Sequence, residues 1–188
     1  MPLKVLVAGG DGQIGKSLQG VVSNSIDLKA CKRSELDITD TESINSAMSF
    51  VKPDIVINAA AYTNVGGAEV EQKQAFLINS TGPHLLAKAC ARLSKPLIHL
   101  STDYVFDGCQ EELYRETDPV NPLNIYGQSK EAGERAVRET LDKHIILRTS
   151  WVFSANGENF VKTILRLAGE REQIEVIDDQ FGGPTSAS

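Results

Sequence analysis

Short apolar runs alternate with amphipathic helical patterns along the sequence, and this alternation constrains the fold more than any other feature. It predicts a parallel sheet with helices on both faces, because parallel neighbours need a long crossover between them. The expected fold class is therefore α/β, a doubly wound parallel sheet. The predicted strands are Leu3–Ala8, Ile26–Cys31, Ile55–Asn58, Leu97–Leu100, Ile145–Leu147 and Ile174–Ile177.

Length and charge narrow the functional class. A chain of 188 residues, 41% of them hydrophobic, can bury one sizeable core, so we expect a single domain over residues 1–188. Its net charge of -6 argues against a nucleic-acid partner, and no apolar stretch is long enough to cross a membrane. Cys31, Cys90 and Cys109 lack the spacing of metal or redox pairs, which favours a reducing cytoplasmic compartment and no metal site.

Local patterns add three predictions. Thr39 and Glu42 have the spacing of a capping box at the start of a helix over about residues 41–52. Pro83 interrupts the helical pattern of residues 75–93 and predicts a break or kink. Residues 103–124 contain two prolines and little periodicity, so we expect a long loop at the carboxyl edge of the sheet.

A glycine-rich turn directly follows the first strand. Gly10, Gly12 and Gly15 have the spacing of dinucleotide-binding turns, and Gly9, Gly12 and Gly15 have the looser spacing of short-chain reductases. Glycines allow the backbone to approach a pyrophosphate, which helix N–H groups then bind. This context predicts a Rossmann-type dinucleotide-binding domain; the alternative is a purely structural turn. The apolar side of the next helix consists of Leu18 with Val21 or Val22.

The end of the second predicted strand indicates the cofactor. Lys32 and Arg33 stand where a carboxylate would bind the ribose 2′-hydroxyl of NADH, so two cations favour NADPH, with NADH as the alternative cofactor. The alternative is a solvated Lys-Arg pair. Asp37 and Ile38 are candidates for adenine contact, and helix capping is an equal alternative for Asp37.

Tyr126 and Lys130 form a candidate proton-delivery pair. They stand four residues apart at the start of a predicted helix, so both lie on one face. A neighbouring ammonium is expected to lower the pKa of a phenol, which could then protonate the oxyanion left by hydride transfer to a ketone. A third donor is expected from Ser101 or Thr102 at the end of a strand, where ordinary strand-end capping is the alternative.

Five segments of the sequence form a distinctive set. They are residues 58–63 (NAAAYT), 101–106 (STDYVF), 122–130 (PLNIYGQSK), 148–153 (RTSWVF) and 179–185 (DQFGGPT). Together they resemble the dTDP-4-dehydrorhamnose reductase family of the extended short-chain dehydrogenase/reductase group, and the resemblance covers essentially the whole chain.

This resemblance implies reduction of the 4-keto group of dTDP-4-dehydro-L-rhamnose by a nicotinamide cofactor, with Tyr126, Lys130 and Thr102 as catalytic residues. It implies that Thr102, Asp103 and Trp151 contact the nucleotide-sugar; without the resemblance, Trp151 would be interpreted as a core aromatic. Together with the glycine turn and the basic pair, the implied cofactor-binding residues are Gly9, Gly12, Gln13, Ile14, Lys32, Arg33, Asp37, Ile38, Ala61, Tyr62, Thr63, Leu100, Tyr126 and Lys130.

The chain departs from the family pattern in two places. Gly66 and Gly67 replace an Asp-Lys pair that is usual in the family, and we expect them to loosen the loop beside the cofactor. The chain stops at Ser188, soon after the segment that leads into the substrate-binding lobe of the family, so we expect much of the sugar pocket to be absent and turnover to be feeble. The resemblance is compatible with a homodimer, but the sequence leaves the oligomeric state open.

Two other functions share these features. A nucleotide-sugar epimerase or dehydratase of the same extended group has the glycine turn and the Tyr–Lys pair but retains bound NAD, which fits poorly with Lys32 and Arg33. A non-catalytic NADP-binding regulatory subunit would not need an intact Thr102, Tyr126 and Lys130.

Overall fold

The computed structural model describes residues 1–20 and 23–187; Val21 and Val22, predicted for the apolar side of the first helix, lie outside the described residues. Five strands form one parallel sheet in the order β2-β1-β3-β4-β5. The first five predicted strands are thereby confirmed. Their bounds are Leu3–Ala8 (β1), Ile26–Cys31 (β2), Ile55–Asn58 (β3), Leu97–Thr102 (β4) and His144–Thr149 (β5).

Seven α-helices accompany the sheet in the described part of the chain. Crossovers between parallel strands are right-handed, so the direction in which the chain moves across the sheet decides which face a connecting helix covers. The chain moves one way from β1 to β2 and the other way from β2 through β3 and β4 to β5, so the first connecting helix covers one face and the later helices cover the other. This is the predicted doubly wound sheet of Rossmann type. The helices are Gln13–Gly20 (α1), Thr41–Val51 (α2), Val65–Val70 (α3), Gln72–Phe76 (α4), Gly82–Arg92 (α5), Ile125–Thr140 (α6) and Phe160–Glu170 (α7).

The main core lies between the sheet and the layer formed by α2, α5 and α6, which pack against one another. Leu6 of β1, Val56 of β3 and Leu97 of β4 are fully buried against Leu86 of α5 and Val137 of α6. This burial fixes α6 over β4 and β5, so the first turn of α6 stands at the carboxyl end of β4. No helix among the described residues is long and apolar enough to cross a membrane.

The predicted strand Ile174–Ile177 is wrong. These residues follow α7 without regular structure, and Val176 and Ile177 are 52% and 73% exposed. A strand needs a neighbour for its ladder of hydrogen bonds, and the described residues offer none at this position. The last strands are instead two short parallel ones, Val152–Phe153 (β6) and Thr185–Ser186 (β7).

The start of α2 differs from the predicted capping box. The N-cap is Asp40, whose carboxylate accepts a hydrogen bond from Glu42 N (2.9 Å). A carboxylate next to the first turn satisfies a free helix N–H as well as a Thr39 hydroxyl would. The predicted helix over residues 41–52 is confirmed to within one residue, since α2 ends at Val51 and Lys52 caps it in the left-handed conformation (φ 50°).

The predicted break at Pro83 is present as a π-helical turn, Leu77–Thr81, between α4 and α5. Proline has no N–H to complete the helical ladder, and a wider turn relieves that misfit. The turn brings Asn79 inward, where it is 1% exposed. An asparagine at this depth must find hydrogen-bond partners.

The segment that carries Gly66 and Gly67 is a short helix, so the expected loosening of this loop is wrong. Asn64 caps α3 by accepting a hydrogen bond from Gly67 N (2.9 Å). A Cβ at Gly67 would lie 2.5 Å from Asn64 Nδ2 and 2.6 Å from Tyr62 Oη, whereas a Cβ at Gly66 would meet no atom within 4 Å. Only one of the two glycines is required by packing.

We therefore expect opposite effects from alanine at these two positions. Gly66→Ala should raise the free energy of unfolding by about 0.5–1 kcal/mol, because it restricts the unfolded chain without a clash. Gly67→Ala should lower it by about 1–3 kcal/mol through overpacking against Asn64 and Tyr62. Urea unfolding of the two variants beside the parent chain measures both changes, and equal destabilisation by both would contradict this account.

Candidate active site

The carboxyl ends of all five strands lie at one edge of the sheet because the strands are parallel. The strand order reverses between β1 and β3, which opens a crevice outside their carboxyl ends. The glycine turn follows β1, Ala59–Ala61 follow β3, and Thr102 ends β4. The three segments thus face a common site.

The glycine turn has the geometry of a phosphate-binding loop. Gly9 has a φ of +84°, and a Cβ there would lie 2.7 Å from Ala60 N. A Cβ at Gly15 would collide with the carbonyl oxygen of Gly9. The turn leads directly into α1, whose first N–H groups have no intrahelical partner and can bind an anion. These residues fit the pyrophosphate of a dinucleotide.

The crevice beside this turn has a volume of about 240 Å³. Six of the predicted cofactor residues line it: Gly9, Gly12, Arg33, Asp37, Ile38 and Ala61. Six further lining residues were not predicted: Asp11, Leu36, Thr39, Ala59, Ala60 and Ile78. The last group includes two alanines from the loop after β3, Ala59 and Ala60, and nothing in the local pattern of that loop singles out its lining positions.

The two cations after β2 differ in position. Arg33 lines the crevice, and its guanidinium Nε donates to Asp37 Oδ2 (3.2 Å). Lys32 is exposed and does not line the crevice, although its backbone N–H donates to Glu35 (3.1 Å). Burial raises the pKa of Asp37, but hydrogen bonds from Thr39 and Arg33 outweigh it and hold that pKa below its usual value. The structure thus makes Arg33 the better candidate for a 2′-phosphate.

Two contacts fix the start of α6. Asn124 caps the helix by accepting from Gly127 N (2.7 Å), and Ile125 N donates to Glu69 Oε1 on α3 (2.9 Å). Helix N-caps favour asparagine because its carbonyl oxygen replaces a missing backbone acceptor. The next residue, Tyr126, is buried at the carboxyl end of β4, where its ring meets Tyr104 edge-on at 5.6 Å.

The phenol of Tyr126 is held in its protonated form. Burial raises the pKa of Tyr126 above its usual value, and a hydrogen bond with Thr102 reduces that effect only in part. The expectation that Lys130 lowers the phenol pKa is therefore wrong in this structure. A phenol that stays protonated at neutral pH is the form that a general acid requires.

Lys130 is 2% exposed, and its ammonium group donates to the carbonyl oxygen of Leu100 on β4 (2.7 Å). Burial lowers the pKa of Lys130 to about 8, and Glu134 acts in the opposite direction. The ammonium is thus held beside Leu100, a predicted cofactor residue, and not against the phenol. His99, the buried neighbour on β4, has a pKa well below its usual range because of burial and the Lys130 charge.

Thr102 lies next to Tyr126 at the start of α6, whereas the preceding Ser101 lies farther along the same helix, toward Glu134. The Thr102 hydroxyl donates to Asp103 Oδ1 (3.1 Å) and accepts from Tyr104 N (3.2 Å). Burial raises the pKa of Asp103. The geometry thus favours Thr102 over Ser101 as the third hydroxyl of the site.

Asn79 joins the two halves of the site and was not predicted. Its side chain accepts from Tyr62 N (2.8 Å) and donates to Tyr62 O (3.0 Å), in the loop after β3. It also donates to the Ser129 hydroxyl on α6 (3.0 Å), which donates in turn to Tyr126 O (2.7 Å). A polar residue on the apolar side of a helix next to Pro83 is the one sequence signal that could have indicated it.

Trp151 is 48% exposed, so the interpretation as a core aromatic is wrong. It follows β5 with a φ of +46°, a conformation that bulky residues rarely adopt, and Gly182 packs against its indole ring. Strained conformations of this kind are common at ligand sites.

The three cysteines are separate free thiols, with Cys31 and Cys90 buried and Cys109 exposed. Within residues 1–20 and 23–187, no group of three or more His, Cys, Asp or Glu side chains could hold a metal ion.

Comparison with known proteins places these residues in context. Residues 3–188 match the family model described as RmlD substrate binding domain. A dTDP-4-dehydrorhamnose reductase from Aggregatibacter actinomycetemcomitans is 46% identical over 97% of this chain, which corresponds to 63% of that protein. The dTDP-4-dehydrorhamnose reductase of Escherichia coli K12 is 44% identical over 98% of this chain and 63% of its own length.

A solved structure is similar over the whole chain. It is the crystal structure of dTDP-4-dehydrorhamnose reductase from Bacillus anthracis in complex with NADP, with a TM-score of 0.96 and 41% sequence identity. The match covers 100% of this chain and 67% of the other. The chain thus spans slightly less than two thirds of the length of the curated relatives that it matches.

The contacts of Asn79 generate a stability prediction. Asn79→Ala should lower the free energy of unfolding by about 2 kcal/mol or more, because it removes three hydrogen bonds and leaves the half-buried N–H and carbonyl of Tyr62 without their side-chain partner. Asn45→Ala is the matched control: Asn45 makes one exposed bond with Arg92 and should change stability by less than about 0.5 kcal/mol. Equal losses for the two variants in denaturant unfolding would contradict the role of Asn79.

Proposed function

The chain belongs to the family described as RmlD substrate binding domain, and from this premise we propose that it reduces the 4-keto group of dTDP-4-dehydro-L-rhamnose with NADPH, giving dTDP-L-rhamnose. The observation that carries the proposal is the meeting of Tyr126 and Thr102 beside the buried Lys130, at the edge of the sheet that bears the glycine crevice. The named relatives are reductases of this substrate, which favours reduction over an epimerase or a regulatory subunit.

The residues of the crevice fit a nicotinamide dinucleotide. The glycine turn and the start of α1 would hold the pyrophosphate, Arg33 would face the 2′-phosphate, and Lys130 would bind the nicotinamide ribose. When bound there, NADPH would supply the hydride for the reduction.

Tyr126 provides the proton. As the carbonyl carbon is reduced, its oxygen gains negative charge, and the phenol gives that oxygen its proton to form the 4-hydroxyl group. Thr102 would donate a hydrogen bond to the same oxygen. Its hydroxyl donates to Asp103 in the structure, so this role requires it to rotate toward the substrate.

The substrate side of the proposal involves Asp103 and Trp151. Asp103 lies next to Thr102 at the end of β4, and the exposed indole of Trp151 follows the neighbouring strand β5. An indole ring is a suitable surface for a base or a sugar. The three free thiols support a cytoplasmic location as part of the proposal.

Supplying dTDP-4-dehydro-L-rhamnose and following NADPH absorbance tests the reaction. We expect turnover from a form extended by the C-terminal third of the Aggregatibacter relative, and weak turnover from the 188-residue chain. Tyr126→Phe should lower kcat at least about 100-fold through loss of the proton donor. Tyr114→Phe is the control, since this hydroxyl binds Asp107 in the long loop.

The proposal fails if the extended protein consumes no NADPH, or if Tyr126→Phe and Tyr114→Phe are equally active. Purified protein that carries stoichiometric NAD would instead support the epimerase alternative.

The position of Arg33 generates a prediction on cofactor preference. The chain should bind NADPH more tightly than NADH, and Arg33→Ala should weaken NADPH binding about tenfold or more while NADH binding changes little. Lys32→Ala should have the smaller effect because Lys32 does not line the crevice. Fluorescence titration with the two cofactors measures this directly. Tighter binding of NADH by the parent chain would contradict the prediction.

A further inference from the structure

Helix α6 carries a column of polar residues that continues beyond the proton-delivery pair. Tyr126, Lys130, Glu134 and Arg138 follow one another at four-residue spacing, so they lie along one face of the helix. Lys130 is 2% exposed and Glu134 is 0% exposed. The proposed mechanism uses the first two residues of this column and leaves the buried carboxylate without a role.

Lys130 is poorly placed to remain an ammonium group. It lies in the second turn of α6, near the positive end of the helix dipole, and its hydrogen bond goes to the neutral carbonyl of Leu100. Burial of a cation without a counter-charge favours its neutral form. A negative charge nearby is needed to keep this group protonated.

Glu134 is the one carboxylate that is fully buried among the described residues, and it is held in its ionised form. Arg148 on β5 binds it through two bonds, Nε to Oε1 (2.9 Å) and Nη2 to Oε2 (2.7 Å). Arg138 adds a third, Nη1 to Oε2 (2.9 Å). Burial raises the pKa of Glu134, but these hydrogen bonds outweigh it, so the carboxylate is ionised at neutral pH.

The other titratable groups around Lys130 do not supply this charge. His99 on β4 is neutral because burial lowers its pKa, and Tyr126 remains a protonated phenol. Asp103 follows β4, bonds to Thr102 and acts on Tyr126, whereas Glu134 is the charge that acts on Lys130. Arg148 on β5 is a cation that would repel Lys130 if its charge were not neutralised.

We propose that Glu134 is a positioning residue for the proton-delivery pair: its carboxylate, fixed by Arg148 and Arg138, keeps the buried Lys130 in the ammonium form that donates to Leu100. Glu134 acts through Lys130 and touches neither the substrate nor the cofactor. The inference rests on the proposed reductase function for the part that Lys130 plays in the reaction. The charge state of Lys130 does not depend on that function.

NMR titration of the lysine side chains in the chain, with the Lys130 signal assigned through Lys130→Arg, measures the charge directly. In Glu134→Gln the pKa of Lys130 should fall by about one unit, a tenfold increase in its acid dissociation constant. Glu131→Gln is the matched control on the same helix, because Glu131 bonds to Arg138 but is not aligned with Lys130. In Glu131→Gln the pKa of Lys130 should equal that in the parent chain.

Arg148→Gln provides an opposite test. Removing this cation leaves the Glu134 charge less compensated, so the pKa of Lys130 should rise. If the substitutions only loosened the packing, the pKa of Lys130 would shift in the same direction in both variants. The proposal is overturned if Lys130 keeps its pKa in folded Glu134→Gln, or if Arg148→Gln lowers it; should Glu134→Gln not fold, the Arg148→Gln result decides.

Turnover separates this inference from the proposed function. In the extended reductase, the loss of activity at alkaline pH should move to lower pH in Glu134→Gln and stay in place in Glu131→Gln. If the parent protein consumes no NADPH while the Lys130 pKa shifts as expected, the reductase proposal fails and the role of Glu134 stands.

Discussion

The common direction of the five strands is the constraint on which the site depends. Because every strand points the same way, the glycine turn, the loop after β3 and Thr102 all reach one edge of the sheet from distant parts of the sequence. The reversal of strand order between β1 and β3 then leaves that edge open. Helix α6, packed over β4 and β5, needs only its N-cap at Asn124 to deliver Tyr126 to the same place.

Features encoded locally were predictable from the sequence. The first five strands, the glycine turn and the break at Pro83 each depend on residues that are close in sequence, and each is present. The strand expected at Ile174–Ile177 failed because a strand needs a partner, which an apolar run does not reveal. The prediction from Gly66 and Gly67 was wrong for a similar reason. Two glycines predict a loose segment, but the N-cap at Asn64 and packing against Tyr62 hold this segment in a helix.

The hydrogen-bonded supports of the site were not predictable in this way. Asn79 and Ser129 are fifty residues apart, yet one bond between them connects the loop after β3 to α6. Glu134 resembles any helical glutamate until Arg148 is placed on the adjacent strand. The two cations Lys32 and Arg33 are equivalent in sequence, and only the crevice distinguishes them. Motif spacing identifies the candidate reacting groups, whereas the residues that support them are brought together only by the tertiary fold.

The buried charges of α6 are costly for a small domain. An apolar pair in place of a buried Glu–Arg pair is often as stable or more stable, because desolvation offsets much of the attraction between the charges. Stability alone therefore gives little reason to bury Glu134 against Arg148. Lys130 supplies a reason, since an apolar pair would leave its ammonium without any fully buried counter-charge in the described part of the chain. Burial raises the pKa of Tyr126 and lowers that of Lys130, so the same desolvation keeps the phenol protonated and makes the ammonium form of the lysine depend on a carboxylate one turn away.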